Sequence, residues 1–126
     1  MAVIRDQFQH RSAVEFGVSE DRIIIFERYT EAAEAVRNGK ADAYASVGRA
    51  HAGFIEQHPD WPLELVLVSV EEKPPAFGSF AFSLADTQFR KDVDSMLSGF
   101  LGTEAHREMV AKFGFTEDEV NLVAAS

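Results

Sequence analysis

The segment GKADAYASVGRA, residues 39–50, decides how this chain folds. Gly39 ends the helix predicted before it, and the apolar run 41–47 that follows is bounded by a second glycine, Gly48. A further helix is predicted to begin directly after that glycine. A strand between two helices is typical of the repeating unit of an α/β protein. Ligands bind at the carboxyl ends of strands in open α/β sheets, so the residues after this strand are the first candidates for a site.

Length and composition limit what kind of protein this is. Its 126 residues are enough for one domain, and acidic side chains outnumber basic ones 21 to 12, which gives a net charge of −9. No basic stripe is present, so nucleic acid is not expected as a partner. The absence of cysteine excludes disulfides, thiol nucleophiles and cysteine-bound zinc. The apolar runs are too short to span a membrane, and no secretory signal is recognised at the start.

Predicted strands and helices alternate along the first 70 residues. Short apolar runs that favour strands lie at 1–4, 22–26, 41–47 and 63–70. Helix-ending signals between these runs predict helices that end near Gly17, Gly39 and Gln57. Such alternation predicts the α/β class, with a parallel-rich sheet flanked by helices and right-handed crossovers. We therefore expect residues 1–70 to form an α/β domain.

The segment EEKPP, residues 71–75, interrupts this alternation. Two prolines in series cannot continue a helix or lie in a central strand, so residues 71–76 are predicted to be a hinge-like linker. The alternating sequence FGSFAFSL at 77–84 then favours one more strand, which would return the chain from the linker.

A helical tail is predicted for the remaining residues. The first helix begins after Asp86 and carries one apolar stripe, formed by Phe89, Val93, Met96, Leu97, Phe100 and Leu101. A second helix starts at Thr103, and Thr116 with Glu119 has the spacing of a capping box for a short third helix. Residues 77–126 are thus expected to contain a strand followed by helices.

Residue types that carry catalysis or bind metals show no productive spacing. The four histidines lack the spacing of metal ligands, and His58 with Asp60 is better explained as a surface pair beside Pro59. No serine has a base at a recognisable distance along the chain, and no known catalytic motif is present. No metal, cofactor or catalytic residue is therefore predicted, and an enzyme is not expected.

Two loops that each follow a predicted strand and open a helix are the candidate site. The first contributes Asp6, Gln7, Phe8 and Gln9, and the second contributes Ser46, Val47 and Arg49. A helix N-terminus presents unpaired N–H groups and the positive end of its dipole, and Arg49 can add a guanidinium group. An anionic group is therefore the predicted guest, although solvated connecting loops are an equal alternative.

Three stretches together resemble a known family. They are AVIRDQFQHRSAVEFG at 2–17, YTEAAEAVRNGKADAYAS at 29–46, and the long stretch from FGSFAFSL at 77 to KFGF at 115. Their order and spacing are similar to those of the solute-binding proteins of polar amino-acid ABC transporters, the family 3 group with the type 2 periplasmic-binding fold. The resemblance covers nearly the whole chain and corresponds to the second lobe of that fold plus its C-terminal helices.

What the resemblance implies is a binding module with no catalysis. The guest would be a small polar solute, the partner in the full-length family is the transporter permease, and the location is periplasmic or extracellular. The N-terminal part of the family's first lobe has no counterpart in this sequence. The linker at 71–75 falls at the family's return hinge.

Two departures from the family affect the choice of ligand. Asp6, Gln7 and Phe8 stand where the family has a Gly-Thr-type step that receives the α-carboxylate of an amino acid. Val47 stands where the family has an acid that binds the α-ammonium group, although Asp6 could supply that charge instead. A standard α-amino acid is therefore disfavoured, and a compatible-solute-like ligand, or no ligand, is the alternative.

Other readings of the same fold remain open. The chain could be an oligomeric interaction or sensor domain that has lost solute binding, and an enzyme related to dehydratases of this fold would lack an acid/base pair. In the family the C-terminal helices face the first lobe. Because their apolar stripe lacks that partner here, a homodimer through these helices is expected, with a tail folded back on its own lobe as the alternative.

Overall fold

Residues 1–126 are all described by the computed structural model and divide into a first unit, residues 1–67, and a second unit, residues 68–126. The first unit contains, in chain order, β1 (Ala2–Ile4), α1 (Phe8–Glu15), a 3₁₀ turn (Glu20–Arg22), β2 (Ile24–Phe26), α2 (Tyr29–Arg37) and α3 (Gly48–Gln57). The second unit contains the helices α4 (Thr87–Phe100), α5 (Glu104–Ala111) and α6 (Glu117–Ala124).

The β1 strand bonds to chain segments on both of its sides. It pairs in parallel with β2, with Ala2 opposite Ile24. On the other side, the Ala2 N–H donates to the Ala43 carbonyl (2.7 Å), and the Ala45 N–H donates to the Ala2 carbonyl (3.1 Å). These two bonds make a parallel bridge between Ala2 and Tyr44. The spatial order is therefore β2, then β1, then the segment 43–45.

The core of the first unit is built mainly from small side chains. All three residues of β1 are buried, and Val3 is the largest side chain that is fully buried. The face of α2 that packs on this sheet is formed by alanines, of which Ala32 and Ala35 belong to the same buried cluster as Ala2. Alanine allows helix and sheet backbones to approach closely, and it is also the best helix former.

Local signals define both ends of α2. At its start, the Glu31 carboxylate accepts from the Arg28 backbone N–H (3.3 Å) and from the Arg28 guanidinium. At its end, Gly39 has a φ of +71°, which a residue without Cβ adopts at low cost. The Lys40 N–H then donates back to the Ala35 carbonyl (2.8 Å), which closes a Schellman motif. The chain therefore turns directly from α2 into the segment 43–45.

The sheet is smaller than the sequence predicts. The α/β class and the parallel pairing are confirmed, in the coarser form of a mixed α/β protein with six helices and a two-stranded parallel sheet. The predicted strand 41–47 forms only the bridge at Tyr44, and the predicted strands 63–70 and 77–84 are not formed. A parallel strand requires paired neighbours and cover on both faces. Neither segment has this, and Val66, Val68 and Phe80 are exposed.

Arg107 is the main link between α5 and α6 in the second unit. Its Nε donates to the Gly102 carbonyl (3.0 Å), and its guanidinium also contacts the carboxylate of Glu117 and the Asn121 Oδ1 (2.8 Å). The turn before α5 is fixed by the Gly102 N–H, which donates to the Nδ1 of the buried His106 (3.0 Å). One side chain therefore connects a turn and two helices.

The helical tail has the helices that the sequence predicts. The helix after Asp86 is confirmed as α4, and the capping box is confirmed, because Thr116 Oγ1 accepts from the Glu119 N–H while the Glu119 carboxylate accepts from the Thr116 N–H. Thr103 caps α5 by accepting from the His106 N–H (3.3 Å). None of the helices in the chain is both long and apolar enough to cross a membrane.

Replacing Arg107 by alanine is expected to destabilise α5 and α6 by about 1–3 kcal/mol, because several charge-assisted hydrogen bonds of a side chain that is only 28% exposed are lost together. Native-state amide hydrogen exchange of α5 and α6 measures this loss. The matched control is Arg90→Ala in α4, which removes an exposed pair with Asp94 at 3.9 Å and should change the free energy of unfolding by less than about 0.5 kcal/mol. Equal losses for both variants would contradict the role of Arg107.

Candidate functional site

The two predicted loops follow neighbouring chain segments at the same edge of the sheet. β1 ends at Ile4 and leads through residues 5–7 into α1, while the segment 43–45 leads through residues 46–47 into α3. Adjacent strands lie about 4.8 Å apart. β2 and the segment 43–45 flank β1 on opposite sides. The carboxyl end of β1 is therefore a topological switch point, and ligands bind at such points in open α/β sheets.

The loop after β1 has an unusual backbone at Asp6. Its φ of +58° is the only positive φ of a non-glycine residue in the chain, and aspartate tolerates this conformation better than most side chains. The neighbouring Arg5 pairs with the Glu27 carboxylate, which raises the pKa of Arg5. Gln7 precedes α1 as its N-cap residue without a side-chain capping bond. The loop is therefore held by its backbone and by Arg5, while Asp6 is exposed.

An open cleft runs along α1 from this loop. It has a volume of about 440 Å³ and is lined by Asp6, Gln7, His10, Arg11 and Val14. These residues recur at helical spacing on the outer face of α1. Two of the predicted site residues, Asp6 and Gln7, therefore lie at one end of a cleft that carries both charge signs. Phe8 and Gln9 belong to the first turn of α1 and do not line it.

The second loop leads into α3 without a side-chain cap. Val47 is the N-cap residue and is exposed, whereas Ser46 is half-buried. Arg49 is the second residue of α3, and the first turn of the helix contains no acidic side chain. Gly48 lies close to the unpaired segment 63–67, since a Cβ at this position would be 3.2 Å from the Leu67 methyl group. The structure therefore places Ser46, Val47 and Arg49 at a positively polarised helix end.

An aromatic cluster holds the second loop in place, and sequence reasoning missed it. The Tyr44 ring packs edge-on against Tyr29 and against His51, with ring centroids 5.0 Å apart in both cases. Tyr29 also contacts Phe54 at 5.0 Å, and a hydrogen bond joins its hydroxyl to the His51 Nδ1. Tyr44 lies two residues before Ser46 in the chain. The cluster therefore fixes the direction in which the chain leaves the sheet and enters α3.

The same cluster continues beyond α3. Phe54 contacts His58 (4.3 Å) and Trp61 (5.3 Å), and the Arg37 guanidinium lies 4.5 Å from the Trp61 ring centroid. The sequence predicts a surface pair of His58 with Asp60, but the structure packs the His58 ring against both Phe54 and Trp61. The helical spacing of residues 51, 54 and 58 was the signal in the sequence that pointed to one aromatic face of α3.

Burial controls the ionisation of the cluster. It raises the pKa of Tyr29 to about 12, with a contribution from Tyr44, and it lowers the pKa of His51. Burial also raises the pKa of Tyr44. The Ser46 side chain acts on this pKa in the opposite direction, although the Tyr44 hydroxyl has no hydrogen-bond partner of good geometry. The three side chains are therefore uncharged near pH 7. They support the loop without adding charge to it.

Charge at the sheet edge comes from three sources, of which two are positive and one is negative. The N-termini of α1 and α3 are polarised positively, and Arg49 adds a full positive charge beside α3. Asp6 supplies a negative charge beside α1. No group of three His, Cys, Asp or Glu side chains in the structure could hold a metal ion. The arrangement suits a small solute that carries an anionic group and a cationic group.

No protein family matches the sequence, no characterised protein is significantly similar to it, and no solved structure matches the fold. The candidate site is therefore defined by its position on the sheet edge and by its charges.

Replacing His51 by glutamine is expected to make the first unit less sensitive to mild acid. Because the pKa of His51 is lowered in the folded state, its neutral form contributes stability above the ordinary value of 6.5, and this contribution is lost as the pH falls through the lowered pKa. The pKa of Glu31 is lowered by Arg28, so its contribution is lost only below the ordinary value of 4.5.

Trp61 is the only tryptophan, so its fluorescence reports the first unit. Between pH 7.5 and pH 5 the thermal midpoint of the native chain should fall, and that of His51→Gln should fall less. His10→Gln on the outer face of α1 is the matched control and should behave like the native chain. An identical fall in all three proteins would contradict the assignment to His51.

Proposed function

We propose that residues 1–67 form a binding lobe for a small polar solute. The observation that carries this proposal is the spatial order of β2, β1 and segment 43–45, which brings the loops of residues 6–9 and 46–49 to one sheet edge. The resemblance to the second lobe of amino-acid solute-binding proteins, with the type 2 periplasmic-binding fold, supports the same function. A transporter permease as partner and a periplasmic or extracellular location belong to this proposal.

The anionic group of the solute is assigned to the start of α3. Neither α1 nor α3 has a side-chain cap or an acidic residue in its first turn, in contrast to α2, α5 and α6, which each carry an acid there. The N–H groups and the dipole of a helix N-terminus favour a carboxylate or phosphate group. Arg49 adds a planar guanidinium that matches the same groups.

The cationic group of the solute is assigned to Asp6. No acid lies at the end of segment 43–45, because that position is occupied by Val47, so an ammonium group beside α3 would have no partner. Asp6 offers a carboxylate at the neighbouring loop instead. The lack of an acid beside α3 disfavours a standard α-amino acid, whose ammonium group needs a hydrogen-bond acceptor close to its carboxylate. It favours a solute of the betaine or ectoine type, whose quaternary or delocalised cation depends less on such an acceptor. The lobe binds and does not transform its guest.

Affinity at an open edge is expected to be low. Association costs about 4–15 kcal/mol in lost translational and rotational freedom, and one open face provides few contacts to offset that cost. A dissociation constant in about the millimolar range corresponds to a net gain of about 4 kcal/mol. The site is therefore best observed by a method that detects weak binding.

Chemical-shift perturbation of the ¹⁵N-labelled chain tests the position of the site. Amino acids, glycine betaine and ectoine are titrated separately. Shifts at residues 6–9 and 46–49 are expected for glycine betaine and ectoine, and smaller ones for the amino acids. Shifts confined to the opposite edge of the sheet, near Gly17 or Asn38, would contradict the proposal. No shift with any solute would favour an interaction or sensor domain that has lost solute binding.

Replacing Arg49 by alanine should weaken the binding of the same solute at least about tenfold, because a charge-assisted hydrogen bond is worth about 1.5–3 kcal/mol. The matched control is Arg22→Ala, which removes a guanidinium just before β2, at the opposite edge of the sheet, and should leave affinity unchanged. Trp61 fluorescence confirms that both variants are folded. An equal loss in the two variants would indicate general electrostatic attraction instead of a site at α3.

A further inference from the structure

The helix α4 is amphipathic, yet none of its residues is buried. It runs for 14 residues from Thr87 to Phe100. On its apolar side Phe89 is 60% exposed and Met96 is 75% exposed, while Val93 and Phe100 are partly covered. The two ends of this side each touch one ring of the same chain, since Phe82 packs on Phe89 and His106 packs on Phe100. Between these ends, Val93 is partly covered and Met96 is the most exposed apolar side chain of the helix.

The spacing of these residues is that of a coiled-coil seam. Phe89, Val93, Met96 and Phe100 follow one another at intervals of four, three and four residues. This interval pattern is the alternation of the d and a positions of a heptad, which places all four on one narrow line facing a partner helix. A helix that only covered its own core would normally show a broader apolar face with buried residues.

We propose that α4 is a dimerisation helix whose partner is α4 of a second copy, packed antiparallel across a two-fold axis. The seam is self-complementary in this direction. The axis that places Phe89 opposite Phe100 of the second copy also places Val93 opposite Met96 of the second copy. Four layers form, each with one a and one d residue, and both copies use the same surface, as a two-fold contact requires.

The charges of α4 are compatible with self-association. The chain carries a net charge of −9, which opposes contact between copies in general. Within α4, however, Arg90 and Lys91 balance Asp92 and Asp94. In the antiparallel register the flanking Arg90 faces Leu97 of the second copy, and the flanking Asp92 faces Gly99 of the second copy. No like charges meet along the seam.

The exposed apolar area is close to what a stable dimer needs. Leu84 is 98% exposed and Phe80 is 68% exposed, and both lie in the segment directly before α4, so a second copy could cover them together with the seam. At roughly 200 Å² for a whole large side chain, the exposed parts of Phe80, Leu84, Phe89 and Met96 amount to about 600 Å² in each chain. Two copies would then bury about 1,200 Å², the lower bound of specific stable interfaces.

Sedimentation equilibrium at micromolar concentrations tests the proposal first. The native chain should be a dimer. Met96→Lys, which places an unpaired charge in a seam layer, should raise the dissociation constant at least about 100-fold. The matched control is Ser95→Lys, which introduces the same side chain at the preceding residue, on the outer face of α4, and should leave the dimer intact. Circular dichroism checks that both variants keep their helices.

A native chain that stays monomeric at every concentration would overturn the proposal and leave this face to another segment or another partner. A dimer that survives Met96→Lys would overturn the assignment to the α4 seam. Neither outcome bears on solute binding, which concerns the first unit.

Cysteine cross-linking tests the direction of packing at protein concentrations above the dissociation constant of the dimer. The chain has no cysteine, so Phe89→Cys and Phe100→Cys each introduce one thiol. The two positions lie about 16 Å apart along α4. On oxidation, an equimolar mixture should form the disulfide between the two variants, and each variant alone should form little. Efficient cross-linking of Phe89→Cys chains with one another would indicate a parallel pair and contradict the proposal, as would a mixture that forms no disulfide.

Discussion

The hydrogen bonds that β1 makes on both of its sides are the constraint on which the first unit depends. This strand is three residues long, and Ala2 is the residue that has a partner on both sides. It lies opposite Ile24 on one side and is bridged to Tyr44 on the other. If the second of these contacts is absent, the sheet has no switch point and the loop before α3 has no fixed position. The small side chains of α2 serve the same arrangement, because they let the helix pack closely across β1.

Elements defined by local signals were predictable from the sequence. The end of α2 at Gly39, the capping box at Thr116 and the helical stripe of α4 each depend on residues a few positions apart. The strands at 63–70 and 77–84 were predicted from alternation, but a strand exists only when another segment pairs with it, and alternation says nothing about that partner. Their absence could therefore not be predicted, because strand pairing depends on residues that are far apart in the sequence.

The candidate site shows the same division. The loops at Asp6 and at Ser46 were identified because each follows an apolar run and opens a helix, and the structure brings both to one sheet edge. The aromatic cluster was missed because Tyr29, Tyr44 and His51 come from α2, from the sheet edge and from α3, and their contacts appear only after folding. This cluster explains why the loop before α3 has a defined direction although its own side chains form no cap.

The shared sheet edge depends most directly on the bond between the Ala45 N–H and the Ala2 carbonyl, and amide hydrogen exchange measures this bond. The Ile24 N–H, which donates to the Met1 carbonyl on the other side of β1, is the internal reference. We expect the Ala45 and Ile24 amides to be protected to a similar degree in the native chain. Exchange of Ala45 at the rate of an unstructured peptide, while Ile24 remains protected, would contradict it, because the two loops would then share no sheet edge.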